Sequence, residues 1–259
     1  MSSGEQVIAV IGPIGAGKSS FIQNSLPPGL RHKVKVGHGF QPETKQVQPV
    51  NWVTEDGTRV KLLDTPGLDN SRSIMTDVKT LKMIATFLIN EVQRKGSHLA
   101  GVIYIHQIND TGVGGNAQRN LRTFQQLCGN NSVMKVVIVT TMWDVVTSEK
   151  GSRLEQELSW SDSLFKPLLD EGAIMMRHDK PPESAMSAIN HILGKKTIIT
   201  QIVREPVQER KALEDSAAGT PHHSENRPLV QKHKEESKLL KAVMRGALQN
   251  IQGVSQHHN

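Results

Sequence analysis

The sequence predicts an α/β fold: a three-layer sandwich with a mostly parallel sheet, one antiparallel edge strand and a helical C-terminal extension. Three observations carry this. Short apolar runs alternate with segments of helical periodicity over the first two-thirds of the chain, as expected of strands covered on both faces by helices. A glycine-rich loop leaves the first apolar run and opens into a helix. One pair of runs is joined by Glu55-Asp56-Gly57, a hairpin signal that supplies the antiparallel pair.

Taken in order, Gln6–Ile11 reads as a buried strand and Lys18–Ser25 as the helix after the glycine loop. Gln46–Val53 and Arg59–Leu63 are the two hairpin strands. Asp77–Arg94 is a long helix with Val78, Leu81, Ile84, Ala85 and Leu88 on one face. Ala100–Ile105 and Val133–Thr140 are continuous apolar strands, with helix Asn116–Cys128 between them. Ala173–Met176 is the last strand, followed by a helix from about Glu183 to His191. The main domain is expected over residues 5–200. A linker, partly disordered, follows over 201–228, with its polar, small-residue stretch at Glu214–Pro228. Residues 229–255 form an amphipathic helix, with Leu240, Met244, Ala247, Ile251 and Val254 at helical spacing. That helix either folds back or pairs with another chain, and the long gap favours a partner.

Composition narrows the class. The 259 residues are 36% hydrophobic and 22% charged, which describes a soluble globular protein with room for one substantial core. The single cysteine, Cys128, excludes an internal disulfide and packs late in its helix. Secretory and lipidation signals are absent, and no apolar stretch reaches the roughly 20 residues needed to span a bilayer, so a cytoplasmic protein without a transmembrane segment is expected. The net charge of +6 is spread among acidic residues, and no aromatic residues alternate with the basic ones to suggest nucleic-acid binding. The scattered histidines lack metal-ligand spacing.

The chemistry lies in four segments. Gly12-Pro13-Ile14-Gly15-Ala16-Gly17-Lys18-Ser19 fits the phosphate-loop pattern G-x-x-x-x-G-K-[ST], with Ser20 next in the helix. Its glycines let backbone N–H groups turn onto phosphate oxygens, and the helix adds its positive end. Lys18 is expected to bridge the β- and γ-phosphates, and Ser19 to ligate Mg²⁺. Second, Asp64-Thr65-Pro66-Gly67 ends an apolar strand: Asp64 is expected to hold Mg²⁺ through water, and Gly67 to offer its N–H to the γ-phosphate. Third, Thr44 precedes the hairpin, where a GTPase keeps the threonine that closes over Mg²⁺. Fourth, Thr141-Met142-Trp143-Asp144 follows a buried strand. Asp144 there accepts from guanine N1–H and the 2-amino group, a donor pair adenine lacks; alternatively it caps the next helix. Catalysis is thereby assigned to Lys18, Thr44 and Gly67, and Mg²⁺ to Ser19, Thr44 and Asp64. The nucleotide, GTP or GDP, is assigned to Gly12 through Ser20 with Asp64, Gly67, Thr141 and Asp144.

In this order the four segments resemble the P-loop NTPase G domain of the translation-factor-related class. Closer still is the AIG1/GIMAP-like, septin- and Toc34-related group. Leu99 to Gly129, "LAGVIYIHQINDTGVGGNAQRNLRTFQQLCG", with "VVIVTTMWD", looks like small fungal AIG1-like G-domain proteins. The resemblance spans about Glu5 to Leu193 and implies a Mg²⁺-dependent GTPase switch.

Two departures qualify it. Met142 replaces the lysine that packs across the base, which leaves selectivity mainly to Asp144. Leu68 stands where Ras-like enzymes carry a water-orienting glutamine, which implies slow hydrolysis by a monomer. A homodimer across the nucleotide face would then supply missing groups, with Asp69, His38 and Arg72 as nearby candidates. Guanine O6 is assigned to either His178-Asp179 or Ser184-Ala185. Two other functions compete with a switch: a GTP-holding assembly module that hydrolyses little, and an ATP-dependent kinase or ATPase. The effectors stay unnamed.

Overall fold

The computed structural model describes residues 4–37, 44–54, 56–68, 80, 82–88, 90–91, 97–110, 118, 121, 124 and 135–194. Its strands are β1 Gln6–Ile11, β2 Gln48–Val53, β3 Arg59–Asp64, β4 His98–Gln107, β5 Val136–Thr141 and β6 Ile174–Arg177. They form one sheet in the order β2-β3-β1-β4-β5-β6, parallel throughout except for β2. The helices with defined ends are α1 Lys18–Ser25, α2 Ser148–Trp160, α3 Lys166–Asp170 and α4 Glu183–Leu193.

Alternation along each strand separates two cores. On β1, Ile8 and Val10 face a layer made by Phe21 and Ile22 of α1 and by Ala185, Ala188, Ile189 and Ile192 of α4. Val7, Ala9 and Ile11 face the other layer, with Ile84, Ala85, Leu88, Leu121, Phe124, Leu154 and Leu158. Every central strand is therefore apolar on both faces, which is why its sequence reads as a continuous run. Several charged residues are buried among the described ones: Lys18, Lys61, Asp64, Glu91 and Lys135. Lys61 of β3 is buried, and burial pulls its ammonium down; Glu5 and Glu91 outweigh that and hold it above its usual range.

The expected bounds of β1 and α1 agree with the structure. The hairpin's first strand begins two residues later than expected and its second ends one residue later, and Gly57 turns between them with φ +83°. Among the described residues, 82–88 and 90–91 are helical as expected, as are 118, 121 and 124. Val78, Leu81, Cys128, the linker at 201–228 and the helix at 229–255 lie outside the described residues. Sequence patterns do not anticipate α2 or α3, nor the 3-10 turn Pro28–Lys33.

Because β3 and β4 flank β1 on opposite sides, the strand order reverses there. Ligands of open α/β sheets bind outside the carboxyl ends of strands at such a switch point. The phosphate loop follows β1, Asp64 closes β3 and Asp144 follows β5, all at this edge.

Candidate nucleotide site

The loop after β1 is held in place by its neighbours. Gly12 has φ +154°, and a Cβ there would lie 2.3 Å from the Ile105 carbonyl oxygen of β4, so only glycine fits. Gly17 enters α1 in the left-handed region, and no side chain caps the helix. Thr141, at the end of β5, is buried beneath the loop; its hydroxyl donates to Ala16 O at 2.9 Å and lies 3.2 Å from His106 O. Thr141, expected to touch nucleotide, braces the loop with its hydroxyl.

Lys18 is 7% exposed and donates to Pro13 O at 2.8 Å, curling back over its own loop. Burial lowers the ammonium to about 8, against the attraction of Asp64. Ser19 donates to Asp64 Oδ2 at 2.8 Å, and the Thr44 hydroxyl approaches the same oxygen at 3.4 Å and Ser19 Oγ at 3.5 Å. The structure thus brings together all three residues expected at the metal. Burial raises the Asp64 carboxyl, partly offset by Ser19, Lys18 and Thr44. Its second oxygen, Oδ1, is buried without a hydrogen-bond partner among the described residues. A carboxylate with a spare oxygen beside two hydroxyls is a hard-oxygen donor set, and it fits Mg²⁺.

Beyond Asp64 the chain is fastened to the loop. Pro13 and Leu68 form a parallel bridge: Ile14 N donates to Leu68 O at 3.0 Å, and Leu68 N to Gly12 O at 3.1 Å. Gly67 lies against Ile14 so closely that a Cβ would meet its backbone at 2.6 Å. Leu68 itself is fully buried in the core. The position that the resemblance equates with a water-orienting glutamine therefore points its side chain inward.

The segment after β5 is shaped by contacts that the sequence does not reveal. Met142 takes a left-handed conformation, φ 60° and ψ 40°, and Asp144 is exposed on the short turn Trp143–Val145. Asp144 is not the cap of α2; Thr147 fills that position, accepting from Lys150 N. Trp143 Nε1 donates to Thr140 O at 3.1 Å, and the Arg177 guanidinium stacks 4.3 Å from the indole centroid while gripping Glu155. After β6, His178 is wedged between helices: Nδ1 meets Ser184 Oγ at 2.8 Å, Nε2 meets Asn24 at 3.3 Å, and the ring lies edge-on to Phe21. Burial lowers its pKa. The two O6 candidates, His178 and Ser184, are thus bonded to one another, and Asp179 is exposed. His38, Asp69 and Arg72 lie outside the described residues.

Glycine loop, buried lysine and a carboxylate with two hydroxyls, all at the carboxyl edge of one sheet, define a phosphate-loop nucleotide-binding protein. The chain belongs to the family described as 50S ribosome-binding GTPase, which matches residues 7–140, and it carries that family's G domain. No curated protein matches the chain. Among solved structures, the fold is similar to Toc33 from Arabidopsis thaliana in complex with Mg²⁺ and GMPPNP, with TM-score 0.52 and 16% identity over 78% of this chain and 85% of that one. It is also similar to a structure of the chloroplast translocon components atToc33 and psToc159, for whose GTPase activity dimerization is important, with TM-score 0.54 and 17% identity over 76% and 87%. A dimerization-deficient mutant of Toc33 gives TM-score 0.50 and 15% identity over 73% and 82%. Among the described residues no helix is long and apolar enough to cross a membrane.

Proposed function

We propose that this GTPase binds GTP and GDP with Mg²⁺, hydrolyses GTP slowly as a monomer, and switches partners through pairing of its G domains. The observation that carries this is the meeting of Ser19, Thr44 and Asp64 beside Lys18, with one Asp64 oxygen left over. Lys18 brings a positive charge to the phosphates, and the Gly67 N–H faces the terminal one. Asp144 selects guanine through its N1–H and 2-amino donors. Mg²⁺ held by Ser19, Thr44 and Asp64 supplies charge neutralisation along the phosphates. In hydrolysis the oxygen of a water bonds to the γ-phosphorus as the bond to the β–γ bridging oxygen breaks, giving GDP and phosphate without a protein adduct.

Leu68 supports slow turnover, since a buried leucine offers no group to a water. We assign the chain to the AIG1/GIMAP-like branch on the segment Leu99 to Gly129 and the strand before Asp144, and its site of action to the cytoplasm. Competition binding tests the reading. A labelled GTP analogue should be displaced by GTP but not by equal ATP, binding should be lost in Lys18→Ala, and the preference should be lost in Asp144→Ala. Equal displacement by ATP in the parent would overturn it.

Leu68 also favours a second reading, a GTP-holding assembly module with little hydrolysis. Sedimentation with GTP, GDP and no nucleotide separates the two: a size change that needs GTP but not turnover supports assembly, and constant monomer mass refutes it.

A further inference from the structure

At the opposite edge of the sheet from the phosphate loop lies a groove of about 1090 Å³. Gln6, the first residue of β1, lines it, whereas the loop leaves Ile11, the last. At about 3.3 Å per residue this puts most of the sheet's depth between the two sites. The groove runs between the end of α1, the turn Pro28–Lys33, the β2–β3 hairpin and the last turn of α4. Its apolar wall is made by Leu26, Pro28, Trp52, Val53, Met186 and Leu193. Val53 is 60% exposed on β2 and extends the apolar wall into a contiguous patch.

We propose that the groove is the docking site of this chain's own residues 195–204. The described chain reaches Gly194, which itself lines the groove, so the next residue emerges at its wall. The sequence continues Lys195-Lys196-Thr197-Ile198-Ile199-Thr200-Gln201-Ile202-Val203-Arg204, then Glu205-Pro206. Ile198, Ile199, Ile202 and Val203 fall at i, i+1, i+4 and i+5, which gathers them on one side of a helix, and Pro206 stops it within the next turn. Four aliphatic side chains on a two-turn segment suit an apolar trough next to its point of origin. The basic residues at both ends stay in water, and Asp56 at the hairpin rim faces them with the opposite charge. No long closure is needed, because the segment is continuous with α4. The loss of chain entropy is correspondingly small compared with that for a helix more than thirty residues away. The docked segment would hold α1, α4 and the hairpin together, and it would bury Val53.

The test uses the full chain with one reporter thiol. In a Cys128→Ser background, Val53→Cys should react with a maleimide at least about tenfold more slowly than in the same protein carrying Ile198→Asp and Ile202→Asp. The protection should be unchanged over a hundredfold dilution. Equal rates would overturn the proposal. Protection that fades on dilution would also overturn it, by assigning the groove to a second copy of the chain. Hydrogen exchange on the parent cysteine background gives an independent reading. Amides of Asn51–Thr54 should exchange faster in Ile198→Asp/Ile202→Asp than in the parent, while those of β1 stay unchanged. No change at the hairpin would again refute docking.

Discussion

Ser19 and Asp64 lie 45 residues apart in the chain, and their side chains meet at 2.8 Å. One lies in the first turn of α1 beside the phosphate loop and the other closes β3, so the bond ties the start of a helix to the end of a strand. Thr44 joins them from the stretch before β2.

Removing one hydroxyl should separate metal from nucleotide. Ser19→Ala should weaken GTP binding by more than about tenfold in Mg²⁺ and hardly at all in EDTA, measured by fluorescent-nucleotide titration. An equal loss in both buffers would mean that the hydroxyl serves the fold instead.

Restoring a glutamine should fail. Leu68→Gln puts an amide into the core between the phosphate loop and the helical layer, with no partner for its polar atoms. We expect a loss of about 2–4 kcal/mol in denaturant unfolding and no faster GTP turnover. A stable, faster variant would show that the side chain can swing outward.

Lys18 makes the empty protein pH-dependent. Its pKa is lowered to about 8 in the folded chain from 10.5. Below pH 8 both folded and unfolded chains carry the proton, and the cost of burying the charge is present in full. Between pH 8 and 10.5 the folded chain releases its proton first, so this cost fades and stability from this residue rises. In EDTA without nucleotide, Lys18→Met should therefore exceed the parent by about 3 kcal/mol at pH 7, and the two should converge towards pH 10.5. A gap that holds constant over that range would refute the assignment.

Arg177 holds the segment that carries Asp144. Arg177→Ala removes both the stack on Trp143 and the grip on Glu155, at a cost of about 1–2 kcal/mol for these partly exposed contacts. Arg177→Lys should recover less than half, since an ammonium cannot both lie flat and fork. Thermal midpoints of the three proteins check this.

How far the fold and site were legible divides along physical lines. Gln6–Ile11 is bounded correctly because Val7–Ile11 are apolar and buried on both faces, with polar Gln6 before them and Gly12 after. Strand β4 runs past its apolar core to His98 and Gln107, because backbone pairing with β1 and β5 continues where side chains change character. Helix α2 escapes notice because its buried stripe is only Gly151, Leu154 and Leu158, too sparse for periodicity; Thr147 as cap with Leu154 and Leu158 four apart is the available signal. Lys18, Ser19 and Asp64 are legible because their chemistry dictates spacing. Thr141's service to Ala16, and Arg177's to Trp143, depend on strand neighbours that no local pattern encodes.

The bridge between Pro13 and Leu68 has a consequence for signalling. With Gly67 wedged against Ile14 and Leu68 anchored in the interior, the rung proposed to gauge a third phosphate is braced by the phosphate loop through two backbone hydrogen bonds. In the switch proposed above, a change on hydrolysis would have to act against this brace. Mutations that loosen this root should blur the message before they empty the pocket.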